Sequence, residues 1–293
     1  MNNDENPFGF GDLSKPATTL VEKISSAMGK IYEPTHIRRI AKAETDASKI
    51  RALSDIEIND IQQRALERFI HEEARKQSNI ESITNKALPL LNENATPQAI
   101  EADWITYFFD HCRNISDIEM QSLWSNLLSM EANEPGTYSK RAINLISTLD
   151  KSDANLFTSI CSFSVFGGDG FDYHIPLILN FEDTIYQKLG ITFFKLTNLE
   201  SIGLLKFDSS TNFTIHTPIN EEYFYYDDSK ITITAPSEAQ KNIEVGCIML
   251  TAVGQQLSRI CGAKPDPDFL EYIQSYYRRK KYYISVEPIS QET

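Results

Sequence analysis

The residues best equipped for chemistry lie in one run near the C-terminus. Tyr276-Tyr277-Arg278-Arg279-Lys280-Lys281-Tyr282-Tyr283 interleaves four cations with four aromatic rings. The run suits a nucleic-acid strand, with Arg278, Arg279, Lys280 and Lys281 on phosphates and a ring such as Tyr282 on a base. It suits a helix C-terminus as well, where cations offset the dipole and tyrosines pack on the body of the protein. A second basic group, His36, Arg38, Arg39 and Lys42, opens a long helical stretch. Arg38, Arg39 and Lys42 are candidate anion contacts; on a solvated helix face they serve solubility alone.

The other polar groups form no catalytic pattern. His36, His71, His111, His174 and His216 show no HExxH spacing. Asp110-His111-Cys112 sets a carboxylate, an imidazole and a thiol in sequence, but consecutive residues on a helix point apart. Gly167-Gly168-Asp169-Gly170 lacks the Gly-Lys-Ser/Thr that completes a P-loop and reads as an ordinary loop. Glu72-Glu73 and Glu221-Glu222 read as surface charges. Cys112, Cys161, Cys247 and Cys261 have neither CxxC spacing nor paired zinc ligands, so they read as reduced, buried thiols of a cytoplasmic protein. No catalytic, cofactor-binding or metal-binding residue is assigned, and no cofactor is expected.

Composition frames these groups. The 293 residues carry 28 Lys+Arg against 41 Asp+Glu, a net charge of −13, with 41% hydrophobic and 24% charged residues. That is the make-up of a soluble globular chain of about two domains, not of a disordered chain or a disulfide-rich module. The acidic excess is spread over both halves, so neither has the positive field that draws nucleic acid non-specifically. The acidic start, Met1 to Gly11, is not a secretory signal, and no run approaches the roughly 18 apolar residues of a membrane span.

The elements that must position these groups follow from periodicity. Leu20, Ile24, Ala27 and Met28 form one face of a short amphipathic helix ended by Gly29, more suited to packing on the protein than to a membrane surface. From Pro34 to Ala87 there is no glycine after Gly29, and apolar residues recur at three-to-four spacing. A continuous helix over 35–87 spans roughly 80 Å, so it must break, near Ser78-Asn79, or bury its stripe on a partner. Ile37, Ile40, Ile50, Leu53, Ile61, Leu66 and Phe69 are the expected self-association stripe. After the polar linker 92–97, three helices are expected: one bearing Trp104, Ile105, Tyr107, Phe108 and Phe109, one over 117–130 capped by Ser116 with Glu119 as a capping box, and one over 139–149. A helix over 153–166 opens the second half, followed by helices at 182–189 and 193–202. Short strands then lie at 204–207, 212–216, 223–226, 231–234 and 245–250. Asp208-Ser209-Ser210-Thr211 and Asp227-Asp228-Ser229-Lys230 are the expected hairpin turns. Helices over 252–260 and 266–279 close the chain.

One local pattern carries a resemblance. Phe194-Lys195-Leu196-Thr197-Asn198-Leu199-Glu200-Ser201-Ile202-Gly203-Leu204-Leu205 is a helix stopped by glycine before a strand, and Met249-Leu250-Thr251-Ala252-Val253-Gly254-Gln255-Gln256-Leu257 is a strand entering a Thr-capped helix. Together they resemble the winged-helix superfamily over residues 153–260. The helix that would enter a groove holds only Lys195 as a cation, which favours protein docking over DNA readout. Other runs resemble a bacterial family described only as a domain of unknown function. They include His36-Ile37-Arg38-Arg39-Ile40-Ala41-Lys42-Ala43-Glu44, Met120-Gln121-Ser122-Leu123-Trp124, Ser139-Lys140-Arg141, Leu149-Asp150-Lys151-Ser152-Asp153-Ala154, Ile202-Gly203-Leu204 and Cys261-Gly262-Ala263-Lys264-Pro265. The Gln-x-Leu-Trp-x-x-Leu-Leu core, Gln121 to Leu128, is also similar to a unit of abortive-infection proteins of phage defence. That resemblance implies a bacterial defence context and no catalytic residues.

The expected fold is α+β. A flexible segment, 1–33, precedes a long oligomerisation helix at 34–91 and a helical unit at 98–150. A winged-helix-like α+β domain at 153–283 and a tail at 284–293 complete it. The expected function is a non-enzymatic defence or stress-response protein that self-associates through the long helix and docks a protein partner through the second domain. A nucleic-acid-binding regulator is the alternative, and a hydrolase or nuclease with a dispersed site is a further one.

Overall fold

A computed structural model describes residues 13–28, 60–167, 173–217, 220–237 and 242–289. Arg38, Arg39, Lys42, Ile37, Ile40, Ile50 and Leu53 lie outside the described residues. The chain is α+β and divides into two compact units, Met1–Ser147 and Thr148–Thr293.

The first unit is helical: α1 (Lys15–Met28), α2 (Asp60–Ala87), α3 (Ala102–Cys112), α4 (Ile118–Asn133) and α5 (Lys140–Ser147). The short amphipathic helix forms as its spacing requires, burying Leu20 and Ile24 together with Ala17 and Val21, and it packs on α3. Trp104, Ile105, Phe108 and Phe109 of α3 and Trp124, Leu127 and Leu128 of α4 supply the core. The Phe108 ring meets Trp124 edge-on at 5.2 Å, a favoured aromatic geometry. Two expectations change here. The cap of α4 is Asp117, whose carboxylate accepts the N–H groups of Glu119 and Met120 at 3.0 Å, while Ser116 turns to Asn79. And α2 does not break at Ser78-Asn79. Asn79 is buried instead, donating to the Arg113 carbonyl at 2.9 Å and accepting from Gln121 at 3.2 Å. Ser125 donates to the Ile83 carbonyl at 2.9 Å. This polar seam, with Ile80, Ile83 and Ala87, seats the last turns of α2 on α4.

The second unit holds α6 (Lys151–Cys161), β1 (Ser164–Gly167), β2 (His174–Pro176), α7 (Thr184–Gln187), α8 (Phe193–Ile202), β3 (Leu205–Phe207), β4 (Phe213–His216), β5 (Glu221–Tyr226), β6 (Ser229–Thr234), β7 (Asn242–Gly246), β8 (Ile248–Leu250), α9 (Ala252–Ser258), α10 (Phe269–Arg279) and β9 (Tyr283–Pro288). The strands between 205 and 250 pair as nested arms, β3 with β8, β4 with β7 and β5 with β6, all antiparallel. Of the two expected hairpin turns, therefore, the one at Asp227-Asp228 is such a turn, with Asp227 at φ 51°. Asp208-Ser209-Ser210-Thr211 joins two separate ribbons instead. The Asp208 carboxylate accepts the N–H of Ser210 at 2.8 Å and of Thr211 at 3.0 Å, an Asx-type turn.

The innermost pair is extended into a sheet of order β2-β1-β5-β6-β9. That extension uses residues read otherwise from sequence: the helix expected over 153–166 stops at Cys161, and the segment set aside as a tail supplies β9 against β6. Alternation holds on the inner face, with Val165, Phe224, Tyr226, Ile231, Ile233 and Ile284 buried. The local signals around the ribbon base hold as well. Gly203 ends α8 at φ 93°, a conformation favoured by glycine. Thr251 caps α9 by accepting the Gly254 N–H at 3.0 Å. A Cβ at Gly254 would collide with the Leu204 carbonyl oxygen, so only glycine lets α9 approach so closely.

Candidate functional site

The C-terminal run divides by face. Three of its rings point inward: Tyr276, Tyr277 and Tyr282 are buried. The Tyr277 hydroxyl donates to the Glu244 carbonyl at 2.6 Å and Tyr282 to the Asn242 carbonyl at 3.4 Å. Lys280 is committed too, 2.7 Å from the Glu244 carboxylate and above the Tyr276 ring at 5.2 Å. Burial pushes the Glu244 carboxyl up, but bonds from Lys280, Asn212 and Tyr276 outweigh it and hold the group below its ordinary value. Arg278, Arg279 and Lys281 are exposed, with Arg278 donating to Gln274 at 3.0 Å. Tyr283, 70% exposed, is the ring of this run that faces solvent. The run therefore presents cations at a helix end over rings that hold the unit together.

The aromatic groups of α8 do the reverse. Leu196 and Leu199 anchor the helix inward, leaving Phe193, Phe194, Lys195, Thr197, Asn198 and Ser201 exposed. Phe194 is 82% exposed. Phe193 lies edge-on to it at 5.6 Å and at 5.6 Å from Phe207, which in turn meets Phe181 at 5.5 Å. Four phenylalanines from three parts of the chain thus form one cluster, with Phe193 and Phe194 exposed and Phe181 and Phe207 half-buried beside them. Such rings are energetically wasteful in water and are the type that anchors interfaces. Sequence reading placed this helix at the surface but did not single out Phe193 and Phe194. The usable signal was two large apolar residues at the first turn, with Phe194 on the face opposite Leu196 and Leu199.

Along α2 the burial changes midway. Residues 79–87 sit on α4, whereas Ile61 is 66% and Phe69 60% exposed and Leu66 is half-buried. Arg68 and Glu72 pair along this exposed stretch at 3.7 Å. Of the expected stripe, then, the described members Ile61, Leu66 and Phe69 lie on a helix section that contributes little to the core of its own unit.

The second unit also holds a cavity of about 390 Å³ lined by Ile175, Ile215, Phe224, Met249 and Leu250, with Glu222 as its charged group. Gln255 at its wall is spent on the His174 backbone, accepting its N–H at 2.9 Å and donating to its carbonyl at 2.8 Å. Among the described residues, no three His, Cys, Asp or Glu side chains gather as metal ligands, and no helix is long and apolar enough to cross a membrane.

Residues 63–274 match the model of a family described as protein of unknown function (DUF2806), and the chain belongs to that family. The match covers the exposed section of α2 from residue 63, the helical unit, α8 and the nested ribbon, and stops inside α10. No curated protein and no solved structure matches the chain.

Proposed function

We propose that this chain is a non-enzymatic interaction protein that docks a protein partner through the phenylalanine face of α8 and self-associates along α2. The observation that carries the reading is the surface cluster of Phe181, Phe193, Phe194 and Phe207, with Phe194 82% exposed. A winged-helix-like reading of this unit draws support from the order α8, Gly203, β3, ribbon, β8, Thr251, α9. The groove-facing helix of such a fold here offers rings and a single cation, Lys195, which suits an apolar protein surface better than a phosphate backbone. The likeness of the middle region to abortive-infection proteins supports a bacterial defence or stress-response context, and four free cysteines fit a cytoplasmic setting.

Both contacts are testable. A photo-crosslinking residue at position 194 should give a discrete protein adduct in cells, and Phe193→Asp should remove it. Diffuse background with both versions counts against docking. Sedimentation velocity at micromolar concentration should show an oligomer that Phe69→Glu dissociates, and a wild-type monomer would sink the self-association half.

A second reading, nucleic-acid binding, rests on the shared exposure of Arg278, Arg279 and Lys281. It requires affinity for duplex or single-stranded DNA that falls steeply with salt and collapses when Arg278, Arg279, Lys280 and Lys281 are replaced together. No binding at low salt retires it.

A further inference from the structure

Two of the four cysteines are brought together by tertiary structure although 99 residues separate them in the chain. α6 ends on Cys161, and Cys261 stands three residues beyond the end of α9. Thr158 donates its hydroxyl to the Cys261 carbonyl at 3.2 Å, tying the last turn of α6 to that loop. The Cys161 and Cys261 side chains are near enough for each to shift the ionisation of the other. Cys161 is buried and lines a cavity of about 250 Å³, and Ser258, Ala263 and Lys264, which flank Cys261 in the chain, line the same cavity. Cys261 itself is partly exposed. The Ser164 hydroxyl is buried at the wall near Cys161, without a hydrogen bond of regular geometry.

We propose that Cys261 is a peroxide-reactive thiol and that Cys161 is its resolving partner, so that oxidation joins α6 to the loop after α9 through a disulfide. The chemistry balances with hydrogen peroxide as the oxidant. The Cys261 thiolate attacks one peroxide oxygen, the O–O bond breaks, and the released hydroxide takes up a proton and leaves as water. The resulting Cys261 sulfenic acid is attacked at sulfur by Cys161, whose proton goes to the departing hydroxyl, and a second water leaves. Two thiols and one peroxide thereby become one disulfide and two waters.

The environments assign the roles. Cys261 is partly exposed where Cys161 is buried, and the neighbouring Cys161 thiol with the Ala263 N–H outweighs burial and holds the Cys261 thiol below its ordinary value. In the thiol form Cys261 donates to the Ser258 carbonyl at 3.4 Å. Burial pushes Cys161 well above the ordinary range, as suits a group that waits as a thiol until the sulfenic acid forms. Cys112 and Cys247 are internal controls. Both are buried, and burial raises both, Cys247 to about 12.

The test uses the full chain, reduced and then freed of reductant. A short pulse of N-ethylmaleimide at neutral pH, read by peptide mass spectrometry, should label Cys261 about tenfold faster than Cys112 or Cys247, because thiolate fraction and access set the rate. Dilute hydrogen peroxide should then yield a Cys161–Cys261 linked peptide lighter by two hydrogen atoms. In Cys161→Ser the sulfenic acid should persist and be trapped by dimedone on Cys261. Equal labelling of Cys261, Cys112 and Cys247 overturns the reactive thiol. A Cys261 that oxidises in the wild-type chain without ever linking to Cys161 overturns the pairing.

Discussion

Helices α8 and α10 both belong to the second unit, and both place adjacent aromatic residues on about three turns of helix. They use them in opposite senses. On α10 the rings of Tyr276 and Tyr277 go inward with Phe269 and Ile273, and the charged residues Arg278 and Arg279 face water. On α8 the leucines go inward, and Phe193 and Phe194 face water. The difference follows from what each helix finds behind it. Behind α10 the β7 backbone offers the Glu244 carbonyl to the Tyr277 hydroxyl, and the Glu244 side chain meets Lys280. A buried tyrosine needs such a partner for its polar tip. A phenylalanine has no polar tip, and the two inward positions of α8 are already filled by Leu196 and Leu199. The comparison teaches that an aromatic-rich run is a docking surface only where the fold has left the rings outside.

The largest expected effect would test the inward side. Tyr277→Ala removes a fully buried ring and its hydrogen bond, and should cost about 3–5 kcal/mol in urea unfolding, as for other buried aromatic truncations. A loss below about 1 kcal/mol would break the contrast, since surface positions behave that way.

An intermediate effect concerns pH. The Glu244 carboxyl sits below its ordinary value of 4.5 in the folded chain, so its contribution is complete well above that value and is lost as pH falls from there through the lower value of the folded state. Hydrogen exchange, corrected for intrinsic rates, should therefore show α10 amides losing more protection than α8 amides between neutral pH and about pH 3. Glu244→Gln should remove that difference. An equal response of the two helices would mean that Glu244 does not anchor α10.

The smallest expected effect sharpens the outward side. Phe194→Ser should change stability by no more than about 0.5 kcal/mol, because the ring buries little within its own unit. The same substitution should reduce retention on a hydrophobic-interaction column. A large destabilisation would place Phe194 in the fold and remove it from the docking face.

Legibility in the sequence followed the range of the interaction. The stop of α8 at Gly203, the Thr251 cap and the close approach at Gly254 all depend on residues within a few positions or on one backbone contact, and the sequence announced them. So did the apolar faces of α1, α3 and α4. The exchange of Ser116 for Asp117 as a cap was a near miss. Both residue types can accept those N–H groups, and Asn79, distant in sequence, claimed Ser116. Strand pairing was not legible. Residues 204–207 and 212–216 look like the two arms of a hairpin around a polar turn, but each pairs with a strand well beyond the other, as in Leu205 with Leu250 and His216 with Asn242.

The amino-acid sequence by itself determined the helical first unit, the α+β character of the second, and the ends of α8 and α9. These are consequences of periodicity, capping and backbone freedom, which act locally. Only the tertiary structure decided that α2 runs unbroken through Asn79, that β9 completes the sheet, that Tyr276, Tyr277 and Tyr282 of the basic run face inward, that Phe193 and Phe194 face outward, and that the last turn of α6 meets the loop holding Cys261. Each of these depends on which distant surface arrives to bury a side chain or to satisfy its polar atoms. That choice is made by the assembled core and is written in no single segment.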